Sequence, residues 1–374
     1  MSTPVRVAFV VHVMQVAGAE VLVRETIRRL KGRIAPAVFC LDAVGRIGEE
    51  LRAEGVDVVC FNRQPGRDWR VSRRLADAIR ARDIEVLHAH QYTPFFYSAL
   101  AKPLCGFRPK IVLTEHGRHY PDRVSPLRRA VNRLVLDRLA DAVTACSAFS
   151  AEGLGRTDGF AGARIEVIEN GIEVDRYDPP ADRDVAKEAV GLEPGRRYLI
   201  HVARHHPVKD QPTLLRGFAQ AVPDLPGVDL LVVGDGPLRG ELENLAVDLR
   251  IPDRVKFLGI RTDIPDLMRA AEAFALTSLS EAASLTLLEA MASGLPALVT
   301  AVGGNPEIVR HEREGLLFPR GDVAGCAGAI RRAVRDPELA ARLGAAGRAR
   351  AIERYQLSRT VEEYFNLYSR LAPR

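Results

Sequence analysis

Two doubly wound, Rossmann-like α/β domains facing each other across a cleft are the architecture this sequence predicts, and three observations carry the reading. The 374 residues exceed what one hydrophobic core usually serves, so two domains of roughly 150 to 200 residues are expected. Short β-branched runs that end in glycine or polar residues alternate with helical stretches, the sequence form of βαβ units and a parallel sheet. The alternation stops once, at the Pro- and charge-rich "VDRYDPPADRDVAKEAVGLEPGRR", and then resumes, so this stretch reads as a connection without a strand.

The elements follow in order. "VRVAFVVHV" is a first buried strand and leads into a helix over 18–31. "APAVFCL", "VDVVCF" and "IEVLHAH" are further strands, each followed by a helical stretch, at 46–54, 69–82 and 93–101. "PKIVLTEHG" precedes an amphipathic helix at 126–139, "AVTACS" precedes one at 148–155, and "RIEVIENG" closes the series. After the connection come "YLIHVAR", "VDLLVVGDG", "VKFLG" and "AEAFALTS", with helices at 210–221, 237–249, 263–270 and 284–293, then "PALVTA" and "GLLFP". The last helix carries Val361, Tyr364, Phe365 and Tyr368 at helical spacing, an apolar stripe that must pack on something. The expected domains are 1–176, 177–356 and a terminal helix at 357–374.

Bulk properties narrow the function classes. Five cysteines, odd in number and without C-x-x-C spacing, argue against a disulfide framework or a zinc site and read as buried thiols of a cytoplasmic protein. The apolar N-terminus has no basic flank and is broken by His12 and Gln15, so it is neither a signal peptide nor a membrane span. Through Arg176 there are 27 Lys+Arg against 21 Asp+Glu, leaving 26 against 27 for the rest, so the net charge of +5 divides as +6 and −1. The first half is therefore the one expected to meet an anionic partner. Within it, the basic cluster Arg123 to Arg138 flanks Leu127, Val131, Leu134 and Val135, a spacing that fits an anionic membrane surface or a solvated face over a core stripe. Nucleic acid is not an expected partner.

The candidate chemistry gathers at strand ends, where open α/β sheets bind ligands. Gly18, in "QVAGAE", opens a helix whose amides suit a phosphate, although one glycine also serves as a plain turn. Arg204 and Lys209, in "HVARHHPVKD", are two cations on one strand-end loop and suit a diphosphate or simple solvation. Gly234 of "VVGDGPL" either floors a nucleotide pocket or turns the chain. "SLSEAASLTLLEAMASG" puts Glu281 in a loop, Ser284 at a helix cap, Leu285 and Leu288 inward, and Glu289 in the second turn. Neither glutamate has a cation beside it in sequence, and each can accept two hydroxyls of a vicinal diol.

These motifs resemble, nearly end to end and in order, the GT-B glycosyltransferases of family GT4, retaining enzymes that use nucleotide sugars. The resemblance rests on "GAE", "VLHAH", "TEHG", "VIENGIEVDRYDP", "VAR" with its following lysine, "VVGDGPL", "VKFLG" and the E-x7-E pair leading into "LEAMASGLPALVTAVGGNPEIV". It implies that Gly18 approaches the donor phosphates, Arg204 and Lys209 bind the diphosphate, Glu281 grips the hexose and Glu289 the ribose. It also implies that His116 stands at the donor sugar's reactive face and His90 near the acceptor. No metal or other cofactor is expected, the donor is expected to be a UDP-sugar rather than a GDP-sugar, and the last helix is expected to cross back to the first domain. The acceptor would be a glycan, a lipid-linked sugar or a small molecule, met in the cytoplasm or at the inner face of the membrane. The alternative is a non-catalytic nucleotide-sugar-binding subunit. Two departures from the family pattern stand out: Ala17-Gly18-Ala19-Glu20 where many members carry G-G-x-E, and Glu281-Ala282-Ala283 where many carry E-G followed by a bulky residue.

Overall fold

The computed structural model describes residues 3–117, 124–161 and 165–372. The chain divides into two compact units, one formed by Met1–Asn170 with Ser358–Arg374 and the other by Gly171–Leu357.

In the first unit the described strands are β1 (Val5–Val13), β2 (Ile34–Ala43), β3 (Asp57–Cys60), β4 (Val86–His90), β5 (Lys110–Glu115), β6 (Ala142–Ala145) and β7 (Ile165–Val167). They form one parallel sheet in the order β3-β2-β1-β4-β5-β6-β7. Strand order reverses between β1 and β4, so the connections leave that gap in opposite directions and open a crevice at its carboxyl end. Helices cover both faces, which is why "VAFVV" in β1 is buried without alternation. The final helix, Leu357–Leu371, belongs to this unit, and its stripe finds partners there. Val361, Tyr364 and Tyr368 are buried, while Phe365 lies under the Arg33 guanidinium at 3.6 Å.

The helical stretch 126–139 departs from simple amphipathicity, because a π turn at Asn132–Leu136 shifts the register by one residue. Asn132 and Leu136 turn inward, and Asn132 is held by the Tyr92 hydroxyl at 2.7 Å and donates to the Asp158 carbonyl at 2.9 Å. The stripe read from the sequence is left outside, with Leu127 73 % and Leu134 58 % exposed.

The second unit holds β8 (Arg197–Val202), β9 (Val228–Val233), β10 (Val255–Gly259), β11 (Ala273–Leu276), β12 (Ala297–Thr300) and β13 (Gly315–Phe318). They too are parallel, in the order β10-β9-β8-β11-β12-β13, with the reversal between β8 and β11. Successive residues of β8 feed two cores, Ile200 on one face and Leu199 on the other. The Pro-rich stretch read as a connection lies within this unit and is partly helical. A 3-10 turn at Val174–Tyr177 buries Val174 and Tyr177 in the core, and Asp182 caps the helix Arg183–Ala189 by accepting from Asp184 N and Val185 N. All five cysteines are free thiols, and burial pushes Cys40, Cys146 and Cys326 up to about 12.

Candidate active-site residues

In the second unit the candidate residues assemble at the carboxyl ends of β8 and β11, the strands flanking the reversal. Arg204 follows the end of β8 and is exposed. Gly234, just past β9, adopts φ +124°, and a Cβ there would stand 2.1 Å from the Ala203 carbonyl oxygen. Glycine is thus what lets the β9 end lie on the loop carrying Arg204, a structural duty beside any contact with a ligand.

Lys209 closes a 3-10 turn at Pro207–Lys209, and its Nζ donates to Glu281 Oε1 at 2.5 Å. The glutamate therefore has a cation after all, contributed from the far side of the strand reversal. The Ser278 hydroxyl donates to the same oxygen at 2.6 Å. The loop is fixed from both sides. Leu279 N donates to Val208 O at 2.8 Å and the Thr277 hydroxyl to Asp210 O at 2.9 Å. Gly304 N donates to Glu281 O at 2.9 Å, and a Cβ on Gly303 would lie 1.8 Å from that oxygen, so the "VGGN" turn packs directly on the Glu281 backbone. Ser278 and Gly303 were not singled out in the sequence, although an S-x-x-E spacing and a paired glycine were there to be read.

Ser284 caps the helix Leu285–Ala292 by accepting from Leu287 N at 3.3 Å. Leu288 is buried and Leu285 partly so. Glu289, half-buried in the second turn, neighbours the Tyr177 phenol. Burial pushes its carboxyl up to about 7, with Tyr177 and then Arg176 pulling the other way. Tyr177 is a site neighbour that the sequence reading passed over, because it stood in what looked like a connection.

In the first unit, Gly18 is the first residue of the helix Gly18–Arg29, preceded by an extended Ala17 with no side-chain cap. No cap side chain competes there for the first-turn amides. Glu20 lies in that turn, its carboxyl raised by burial against the pull of the backbone and His12. His90 ends β4 at the reversal, and His116 follows β5. His90 Nδ1 and His116 Nε2 stand 2.6 Å apart. Burial holds His116 down at about 4 and His90 well below the ordinary imidazole range, so both rings are neutral near pH 7.

The basic cluster divides. Arg123 lies outside the described residues. Arg128 is not a free surface cation, since it sits over the Tyr92 ring at 3.6 Å and bonds Asp158 at 3.0 Å. Arg129, Arg133 and Arg156 line an open groove with Val124 and Leu134. Among the described residues no group of three or more His, Cys, Asp or Glu could hold a metal ion, and no helix is long and apolar enough to cross a membrane.

Residues 16–176 match the family model "Glycosyltransferase Family 4" and residues 182–350 the model "Glycosyl transferases group 1". Over 308 residues the chain is 30% identical to N-acetyl-alpha-D-glucosaminyl L-malate synthase of Bacillus anthracis, covering 81% of this chain and 79% of that protein. This chain is a GT-B glycosyltransferase of the family 4 type. The glycosyltransferase is also 30% identical, over 295 residues, to a GDP-mannose-dependent alpha-(1-6)-phosphatidylinositol monomannoside mannosyltransferase of Mycobacterium tuberculosis, covering 76% of this chain and 74% of that protein. Among solved structures, Anabaena Alr3699/HepE in complex with UDP and glucose superposes with a TM-score of 0.86 at 25% identity, covering 98% of this glycosyltransferase and 100% of that chain.

Proposed function

We propose that this glycosyltransferase moves a hexosyl group, with retention, from a UDP-sugar held by its second unit to a glycan, lipid-linked or small-molecule acceptor met by its first. The observation that carries the donor reading is the Lys209–Glu281 contact at the strand reversal, with Arg204 exposed at the end of the adjacent strand. An ammonium has three donors; one is spent on Glu281, which leaves two for a diphosphate. In this reading Glu281 takes the sugar hydroxyls, Glu289 the ribose diol, and Arg204 the phosphate oxygens by its guanidinium fork. Gly18 brings backbone to the phosphates. UDP is preferred over GDP because a solved relative that covers 98% of this chain holds UDP.

Transfer would be a front-side substitution. The bond from the anomeric carbon to the leaving phosphate breaks, the bond to the acceptor oxygen forms on the same face, and the acceptor's proton passes to the leaving phosphate. Arg204, Lys209 and helix amides stabilise the charge that grows on that phosphate. His116 acts as a hydrogen-bond partner of the transferred sugar and His90 of the acceptor. Neither is a general base in this scheme, because burial holds His116 down at about 4 and His90 well below the ordinary imidazole range, poorly matched to taking a proton at neutral pH. Incubation with a panel of UDP-, GDP- and ADP-sugars, read as release of the nucleoside diphosphate, tests the donor class. Binding of a donor with no turnover, with or without acceptor, is what a non-catalytic subunit would give.

The acceptor reading adds an anionic membrane surface as partner, supported by the exposed Leu127 and Leu134 beside Arg129 and Arg133. Each basic residue at such a surface contributes about 1 kcal/mol, within a Debye length. The protein is expected to sediment with vesicles containing phosphatidylserine and not with neutral ones, less so at 0.5 M salt (about a 4 Å screening length). Arg133→Glu with Leu134→Ser should abolish sedimentation while leaving donor hydrolysis intact. Equal recovery with both vesicle types removes the membrane from the account.

A further inference from the structure

One polar row crosses the first sheet beneath the final helix. Phe9 of β1, His88 and His90 of β4, Thr114 of β5 and Thr144 of β6 are buried neighbours, with His90 opposite Thr114 and Thr114 opposite Thr144 in register. His88 and His90, two residues apart, share a face. Tyr364 and Tyr368 cover His88, with ring centroids 5.0 and 5.6 Å away.

The hydrogen bonds in this row run in one direction. With the Thr144 hydroxyl turned toward Leu113 O at 3.4 Å, Thr114 is the donor in their 2.5 Å contact. Thr114 then accepts from His88 Nε2 at 2.6 Å, which leaves His88 Nδ1 as a lone pair that accepts from the Tyr368 hydroxyl at 2.6 Å. With one proton per hydroxyl the chain closes on a neutral Nε2–H imidazole. Burial keeps His88 neutral and the Tyr368 phenol protonated, as this requires. The ring so fixed lies against His90 at 4.0 Å between centroids, and His90 in turn bonds His116. His90 Nε2 and His116 Nδ1 are buried without a partner among the described residues. Whichever ring donates within the pair, one of these outer atoms is an N–H and the other a lone pair. A hydroxyl-rich ligand can satisfy both.

We propose that Tyr368 is a positioning residue for transfer: through His88 it fixes the tilt of the His90–His116 pair, so that the last helix is part of the site. This rests on the reading that the pair meets the sugar or acceptor. The test compares full-length Tyr368→Phe, His116→Ala and Glu362→Gln. The last loosens the same helix at its 2.7 Å contact with Arg33 without touching His88. Two readouts are taken: UDP release from a mixture of UDP-glucose, UDP-galactose and UDP-N-acetylglucosamine, and long-range proton–nitrogen NMR of the histidine rings. Tyr368→Phe is expected to shift His88 Nδ1 and to lower kcat about tenfold at unchanged KM, the scale of a small misplacement of groups that position the reactants. Glu362→Gln should change neither. A fall for His116→Ala with none for Tyr368→Phe overturns the positioning role alone. No fall in either overturns the placing of the pair at the sugar, and the positioning role with it.

Discussion

Lys209→Ala is expected to lower turnover by about 10²- to 10³-fold, the loss typical of removing one preorganised stabiliser of transition-state charge. Donor KM should move far less. Charge on the leaving phosphate grows toward the transition state, so the missing ammonium is felt most there. A structural cost accompanies it, because Glu281 is buried and, among the described residues, would keep only the Ser278 hydroxyl as a side-chain partner. A lost charge-assisted contact of this kind costs about 1.5–3 kcal/mol, and less here because Lys209 is partly exposed. Thermal unfolding beside the kinetics separates the two: a variant folded at the assay temperature and still slow is slow for chemical reasons. Arg204→Lys is expected to be damaging as well, since a point charge does not reproduce a two-pronged contact. Near-normal turnover in both variants removes the diphosphate from this loop.

Glu281→Gln and Glu289→Gln are expected to part when calorimetry is done with free UDP. The first should leave the dissociation constant within about twofold, because it touches the sugar and leaves the Lys209 cation in place, while turnover falls about 100-fold if a charge-assisted contact is lost in the transition state. The second should raise the UDP dissociation constant about tenfold through the ribose contact. The pH dependence gives a finer check. With the Glu289 carboxyl at about 7 when free, a ribose diol that donates to the ionised form has to displace a proton at neutral pH. UDP affinity should therefore rise as pH passes from about 6 to 8, more steeply in the parent than in Glu289→Gln, where only the ligand's own ionisation remains. Equal losses in the two variants would mean that the pair is misassigned.

The parts of this site that could be read from the sequence are those with local signals. Ser284 announces a helix start because a hydroxyl before an apolar run is how orphan amides are satisfied. The short apolar runs of β8 and β11 announce strands buried on both faces, and with them the strand ends where Arg204 and Glu281 lie. What stayed hidden are contacts that only the topology creates. Lys209 meets Glu281 across 72 positions, and Tyr368 meets His88 across 280. Tyr177 reaches Glu289 from a Pro-rich stretch whose composition resembles a linker, and nothing in its neighbours foretells a core position. The helix at 126–139 shows the opposite failure. Its periodicity was plain, yet a π turn moved Asn132 inward and left Leu134 out, a shift that 3.6-residue spacing cannot register.

Proton NMR of the anomeric signal during turnover of a nucleotide sugar tests the central claim most directly, because it reads donor class, catalysis and stereochemistry together. The account predicts that an α-linked UDP-sugar is consumed, that UDP appears, and that the first sugar product carries the α configuration before mutarotation. A first product of β configuration would contradict the front-side mechanism. No consumption of any UDP-, GDP- or ADP-sugar, with or without an anionic-vesicle acceptor, would contradict the assignment of Arg204, Lys209, Glu281 and Glu289 as a working donor site.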